Sequence, residues 1–315
     1  MILQTVKNFI QERTPLKGPL LLGFSGGPDS LALFHALLSI IKDFTIHVAH
    51  VDHGWREESE SEVLFLKQYV ARFGIPFHHT RLHHCEGEEQ ARNERLSFFA
   101  TLYKDLDCAA LLLGHHGDDQ SETVLKRILE GAHLTSLGGI LEESSLNEMT
   151  IWRPLLKHRK KEIYAFLKKE GLTPLEDPTN QDPKFLRSKM RTEILPWLSE
   201  KFGKEVAGNL CRIGSSTQEL KSYLERKIEP YYRLIERKTG EITIDFNPLF
   251  PFEAVEIKTF LKKITDEEAL FLSAQALNTL YDLINTGAFK KKILGRKKII
   301  EIHRRVVAIK NRAGY

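Results

Sequence analysis

A chain of 315 residues leaves room for two domains and a sizeable core, and 42% hydrophobic with 28% charged residues is an ordinary globular balance, which excludes disordered and fibrous classes. The net charge of +4 points only weakly to a polyanionic partner, and the three cysteines, Cys85, Cys108 and Cys211, form no C-x-x-C pair, so neither a zinc ribbon nor an iron–sulfur cluster is expected. The opening MILQTVKNFIQERTPLK lacks the apolar core of a signal peptide, and no apolar run approaches the ~20 residues that span a bilayer, so a cytosolic protein with reduced thiols and no membrane partner is expected.

Short apolar runs then alternate with helical patterns. LLLGF (20–24) precedes a helix through Ile41, and TIHVAHV (45–51) precedes one from about Glu57 to Phe73. PFHHTRL (76–82) leads to a helix from Glu88 to Leu106, and CAALLLGH (108–115) to one from Asp118 to Glu130. This alternation predicts an α/β fold, a doubly wound parallel sheet with helices on both faces. Ligands in such sheets sit at the carboxyl ends of the strands, where SGGPDS, DHGWRE and GHHGDDQ all fall. Beyond Gly131 the pattern loosens: HLTSLGGILEESSLNEMT reads as a loop, and IWRPLLKHRKKEIYAFLKKEG as an extended basic piece and a helix. EDPTNQDPKFLRSKMRTEILPW is a proline-bounded loop opening into a helix, and 204–236 a long helical connector. From Glu241 a small α+β unit follows, with a strand at EITIDF, helices near 252–264 and 272–286, and strands within 289–311. The expected division is 1–215 for the catalytic domain and 216–315 for the connector and α+β domain.

SGGPDS, Ser25–Ser30, lies between a strand and a helix but lacks the G-x-x-x-x-G-K-S/T pattern of the commonest phosphate loop. Gly26 and Gly27 permit a tight turn, Ser25 and Ser30 add hydroxyls, and the following helix aims its unpaired N–H groups at the loop. Pro28 fits the first helical turn. Asp29 beside a phosphate makes sense if it holds Mg2+. The plainer alternative is a strand–turn–helix junction capped by Ser or Asp. Strand-SGGPDS-helix resembles the pyrophosphate loop of the N-type ATP pyrophosphatases. That resemblance implies an adenine nucleotide α-hydrolase-like fold that cleaves ATP between its α- and β-phosphates, with the loop holding the departing pyrophosphate.

In GHHGDDQSETVLKRILEG, Asp118 and Asp119 open a helix and Glu122 shares their face. Such carboxylates can bind Mg2+ or accept a proton from an amine, or simply be favourable first-turn acids. The string resembles the H-H-x-D-D-x-x-E-T motif of the tRNA(Ile)-lysidine synthetase family. Further matches follow in order: His50–Arg56, QARNERLSFF with Leu96 in place of tyrosine, WRPLLKHRKKEI, and EDPTNQDPKFLRSKMRTEILP with Ser188 in place of asparagine. LEGAH at 129–133 also departs from the family's pattern, at Glu130. The likeness covers residues 20–200.

The resemblance implies ATP-dependent ligation of free L-lysine to the wobble cytidine of tRNA(Ile) with anticodon CAU, through an adenylated cytidine, giving lysidine, AMP and pyrophosphate. It implies ATP contacts at Ser25, Gly26, Gly27, Pro28, Asp29, Ser30, His50, Gly114 and His115, and Mg2+ at Asp29, Asp118 and Asp119. Asp29, Asp118, Asp119, Glu122 and Arg92 would be catalytic, with Asp119 or Glu122 accepting the amine's proton. Contacts to tRNA would come from Arg95, Arg153, Lys157, Arg187 and Arg191, and from the basic C-terminal strands at Lys297 and Lys298. It further implies a short form without the additional C-terminal domain of longer members, and allows a homodimer. Basic runs are also ordinary solvated helix faces, and a charged strand edge can serve against aggregation. The competing readings are a pyrophosphate-loop tRNA thiolase of the 2-thiocytidine type, which commonly uses paired cysteines, and a non-catalytic RNA-binding protein.

Overall fold

The computed structural model describes residues 1–40, 44–52, 59–82, 88–175, 186–289, 291–294 and 298–312. His53–Glu57, Cys85, Glu176–Phe185, Lys290, Arg296 and Lys297 lie outside the described residues. Packing divides the chain into two units, Met1–Thr123 with Ile140–Cys211, and Val124–Gly139 with Arg212–Tyr315. The sequence boundary at 215 ignores the segment Val124–Gly139, which interrupts the first unit.

The first unit opens with α1 (Ile2–Gln11), β1 (Leu20–Gly23), α2 (Pro28–Leu38), β2 (Ile46–Asp52), α3 (Ser59–Ala71), β3 (Phe77–Arg81), α4 (Glu88–Asp105), β4 (Ala110–Leu112) and α5 (Gly117–Leu129). There follow β5 (Glu143–Leu146), β6 (Met149–Trp152), α6 (Lys160–Lys169), α7 (Leu186–Lys189), a π-helical turn at Met190–Ile194, α8 (Leu195–Phe202) and α9 (Val206–Ile228), whose residues up to Cys211 belong to this unit. The sheet order is β3-β2-β1-β4-β6-β5. All its pairings are parallel except that of β5 with β6. The order reverses between β1 and β4, which opens a crevice at their carboxyl ends.

Both faces of β1 are buried, as its uninterrupted apolar run requires. Leu20 and Leu22 pack with Val6 and Phe9 of α1, Leu33 and Phe34 of α2, Leu66 and Val70 of α3, and Ile163 and Leu167 of α6. Leu21 faces the other way, with Ala49, Leu111 and Phe99 of α4. Helix α2 is apolar nearly all round because it is enclosed, and it is buried from Leu31 to Phe34.

The stretch read as a loop holds the hairpin β5–β6. Asn147 and Glu148 form its turn with φ of 48° and 65°, the double positive-φ geometry that suits tight hairpins. Its edge strand, ESSL, is polar and mostly exposed, so it shows no apolar alternation. Helix α1, also absent from the expectations, buries Ile2, Val6, Phe9 and Ile10 on one face.

The second unit contains β7 (Ile235–Lys238), β8 (Glu241–Asp245), α10 (Ala254–Glu267), α11 (Ala274–Asn285), β9 (Lys291–Leu294), β10 (Lys298–His303) and β11 (Val306–Asn311). Its strands form an antiparallel sheet ordered β7-β8-β11-β10-β9. Alternate residues Ile242, Ile244, Ile300, Ile302, Val307 and Ile309 bury against Phe260 and Ile264 of α10 and Leu277 and Leu280 of α11.

Phe34 is fully buried and surrounded by the rings of Phe24, Tyr69 and Phe73. Phe34→Ala should lower the unfolding free energy by about 3–5 kcal/mol in urea titration followed by circular dichroism.

Candidate active site

The crevice at the ends of β1 and β4 holds a cavity of about 270 Å³. Phe24, Ala49, Val51 and Phe99 supply its apolar lining, and Ser25, Asp29, Ser30, Gly114, His115, Asp119 and Arg95 its polar lining. A few convergent polar groups on an apolar base are the ordinary make-up of a small-molecule site.

Gly26 turns the chain out of β1 with φ of +78°. A Cβ there would lie 2.7 Å from Leu66 Cδ2, so both the backbone and the space demand glycine. Gly27 is extended at the N-cap of α2 and Pro28 occupies the first turn, where its missing N–H would have gone unpaired in any case. The Ser25 and Ser30 hydroxyls stand 3.2 Å apart. Ser30 Oγ accepts the Ser25 N–H at 3.2 Å and donates to the Gly27 carbonyl at 3.1 Å. A Cβ on Gly114 would lie 3.0 Å from the Asp29 carbonyl carbon. Glycine therefore lets the end of β4 pass directly against the loop. These contacts set the N-terminus of α2, an anion-favouring helix end, beside the cavity.

Three acids gather around one buried imidazole. His116 Nε2 lies 3.5 Å from both Asp29 Oδ1 and Asp119 Oδ2, and its Nδ1 accepts the Asp118 N–H at 3.2 Å. Burial opposes the charged ring, but the Asp118 carboxylate, with Oδ2 3.5 Å from Nδ1, and the charges of Asp119 and Asp29 prevail and raise its pKa. Asp118 is occupied on both oxygens. Oδ1 accepts from Arg159 Nε at 3.1 Å and Nη2 at 2.7 Å, and Oδ2 accepts the Lys160 N–H at 2.7 Å. Despite its burial, the His116 ring beside Oδ2 and these bonds hold its carboxyl well below the ordinary 3.8.

Asp29 receives a lysine from the far side of the sequence: Lys160 Nζ donates to Oδ1 at 2.8 Å and to Oδ2 at 2.7 Å. Asp119 accepts the His116 N–H at 3.0 Å and Arg191 Nη2 at 3.1 Å. Burial would raise Asp119, but the His116 ring, the His116 N–H and Arg191 hold it low. Arg191 Nε also donates to Glu122 Oε1 at 2.7 Å. Glu122 is 2% exposed, its Oε2 has no partner among the described residues, and burial raises its pKa.

The same cavity also carries a group of cations. Burial, then Arg92 and Arg187, lowers Arg95, and burial with Arg92 pushes Arg153 down to about 10. His115 lies between the two groups; burial first, and then Arg153, Arg187 and Arg95 against the opposing Asp119, pushes it down to about 4. Its Nδ1 is buried without a partner among the described residues.

The PP-loop domain family matches residues 2–198. A tRNA(Ile)-lysidine synthase of Chlamydia pneumoniae is 35% identical over 92% of this chain and 91% of its own length. Another, of Protochlamydia amoebophila (strain UWE25), is 37% identical over 95% of this chain and 67% of its own. The chain belongs to the tRNA(Ile)-lysidine synthase family. Among solved structures, a U34-tRNA thiolase of Methanococcus maripaludis with its 4Fe-4S cluster superposes with a TM-score of 0.56 at 18% identity. That likeness covers 69% of this chain and 78% of the thiolase, and it shows the shared α/β fold.

Of the residues expected from the family's motifs, Ser25, Asp29, Ser30, Gly114, His115, Asp119 and Arg95 line one cavity. Gly26, Gly27 and Pro28 shape its loop. Asp118 and Glu122 stand behind Asp119, held by Arg159 and Arg191. His50 is absent from the lining. Strand alternation turns Ala49 and Val51 to the cavity and His50 to the other face, where its ring hydrogen-bonds the Phe24 carbonyl at 2.8 Å. Arg153 donates to the Leu141 carbonyl and to Ser144 Oγ, both at 2.9 Å, and Lys157 pairs with Glu142 at 2.9 Å. Lys298 is paired with Glu268. Lys160 and Arg159, read in the sequence only as part of a basic run, are the site partners that pattern reading missed. Only the fold brings them to acids 131 and 41 positions away.

The depressed carboxyl of Asp118 contributes stability above its unfolded pKa near 3.8, and loses that contribution as pH falls through the still lower folded value. Asp118→Asn should therefore cost about 2–3 kcal/mol at pH 7, read in urea. The gap to wild type should close progressively below pH 3.8. A gap of constant size down to pH 2.5 would show that the carboxylate charge is not its origin.

Proposed function

We propose that the crevice ligates free L-lysine to the 2-carbon of the wobble cytidine of tRNA(Ile) with anticodon CAU at the expense of ATP. The carrying observation is that one cavity joins the pyrophosphate loop, with Asp29, to the H-H-x-D-D-x-x-E motif, with Asp119, in a chain whose relatives are named for this activity. The cytidine 2-oxygen bonds to the α-phosphorus, the bond to the β-phosphate breaks, and pyrophosphate leaves. The lysine ε-nitrogen then bonds to C2, the C2–oxygen bond breaks, and AMP leaves with that oxygen.

The residues divide the work by charge. Ser25, Gly26, Gly27 and Ser30, with the N-terminus of α2, would bind the departing phosphates. The donor set fits Mg2+: Asp29 and Asp119 offer hard carboxylate oxygens on the cavity lining, of which Asp118 is not part. Mg2+ bound by Asp29 and Asp119 would neutralise charge on the phosphates. Arg95, with Arg92 and Arg187 beside it, would meet the nucleotide's phosphate or the activated cytidine. Asp119 would draw in the lysine ammonium, and a carboxylate of the Asp119–Glu122 pair would take its proton.

The thiolase reading is disfavoured by the cysteines. Burial, with Asp107, pushes the Cys108 thiol up to about 11, and Cys211 donates to the Gly117 carbonyl. Incubation with ATP, labelled lysine and total bacterial tRNA should place label on the CAU wobble cytidine, with AMP and pyrophosphate formed only when lysine and tRNA are both present. Label elsewhere, or tRNA thiolation in its place, would overturn the reading. Asp119→Asn should lower lysine incorporation by at least ~100-fold, and near-wild-type turnover would remove Asp119 from the chemistry.

A further inference from the structure

We propose that Lys160 is the phosphate-binding cation of the pyrophosphate loop, delivered from α6, and that Asp118 positions it. The inference rests on the reading that the cavity takes ATP. A loop that binds a triphosphate through backbone amides and hydroxyls gains from a cation, and SGGPDS contains none. It contains an acid, Asp29, whose charge would repel the phosphates. Lys160 lies where both difficulties are met. Its ammonium is shared between the two oxygens of Asp29, at 2.8 and 2.7 Å. Asp29 lines the cavity in the first turn of α2. An ammonium has three donors, and two go to Asp29, leaving one for an incoming phosphate oxygen.

The placement of Lys160 is built from the backbone upward. Asp118 Oδ2 accepts the Lys160 N–H at 2.7 Å, which satisfies an otherwise orphan donor at the start of α6. Asp118 Oδ1 takes the guanidinium of Arg159, the preceding residue. The His158 carbonyl accepts the Gly117 N–H at 2.7 Å, so the two chain segments are bound in both directions. Glu162 closes the turn by accepting the Arg159 N–H at 2.8 Å. A lysine has four rotatable bonds and much entropy to lose, so fixing its backbone beside the loop lowers the cost of aiming it. Asp118 therefore acts through α6 on a neighbouring side chain, with both of its oxygens engaged by Arg159 and the Lys160 N–H.

The test is equilibrium binding of ATP and of AMP to the full chain, by calorimetry in EDTA. The readout is the ratio of the two affinities, which a partly unfolded preparation leaves unchanged. Lys160→Ala should lower the ATP/AMP affinity ratio by about 10- to 100-fold, as the loss of a charge-assisted contact would. Lys160→Arg should restore most of it. Asp118→Asn should lower the same ratio, and the double variant should fall no further than Lys160→Ala alone. A wild-type ratio in Lys160→Ala would overturn the role of the lysine. An unchanged ratio in Asp118→Asn, or an additive double variant, would overturn the positioning role. A wild-type chain that binds neither nucleotide would instead sink the reading of the cavity as an ATP site.

Discussion

The crevice depends on one carboxylate shared by two helix starts. Asp118 belongs to the first turn of α5, yet it accepts the first backbone N–H of α6 and the side chain that precedes it. The starts of helices carry partial positive charge and do not gather without a counter-charge. Here the starts of α2, α5 and α6 are brought together by acids in the first turns of α2 and α5: Asp29, Asp118 and Asp119. His116, within 3.5 Å of all three, keeps those acids from repelling one another. The same arrangement that stabilises the fold thus leaves a field suited to an anion, at the point where the sheet order reverses.

The field has two sides. Asp29 and Asp119 are negative, Arg95 is positive with Arg92 and Arg187 acting on it, and His115, pushed down to about 4, is neutral between them. A reaction that joins an ammonium to an activated, phosphorylated base needs both signs within one cavity, close enough for the partners to meet. A neutral imidazole at the boundary can donate or accept one hydrogen bond without favouring either side. Its Nδ1 and Glu122 Oε2 are buried with no partner among the described residues, which marks them as polar groups that await one.

Much of this was legible in the sequence, for physical reasons. The apolar run of β1 and the glycines and proline before α2 are local signals, so the loop was readable from its own residues. Asp118 and Asp119 were readable as first-turn acids, but their roles were not. One is saturated by Arg159 and Lys160 and the other lines the cavity, and that difference is made by a helix more than forty positions away. The apparent want of a lysine in SGGPDS has the same origin: the cation exists, but contact in space supplies it. His50 illustrates the converse, since its motif suggested a ligand contact and strand alternation turned it to the opposite face. In the second unit, the basic C-terminal strands look unopposed along the chain. Pairing sets Glu301 between Lys292 and Lys310, Glu241 beside Lys310, and Glu268 against Lys298. Lys292, Lys298 and Lys310 are thus paired, so a tRNA surface there would have to use the strands' other cations or exchange one partner for another.

The last consequence concerns basicity. Asp119 and Glu122 share one guanidinium, Arg191, carried on the π-helical turn at Met190–Ile194. Pro196 follows closely, and its missing N–H prevents the regular helical bond to the residue four before it, which accounts for a widened turn at this place. Sharing a partner would ordinarily make two carboxylates alike. Their surroundings separate them: the His116 ring and Arg191 hold Asp119 low, whereas burial raises Glu122, one of whose oxygens has no partner among the described residues. Two acids with pKa values driven apart can take different tasks in one reaction. Under the proposed chemistry, Asp119 keeps its charge and holds the ammonium at the cavity. Glu122, raised by burial, would then be the candidate to take the amine's proton, and Arg191 holds both acids in place.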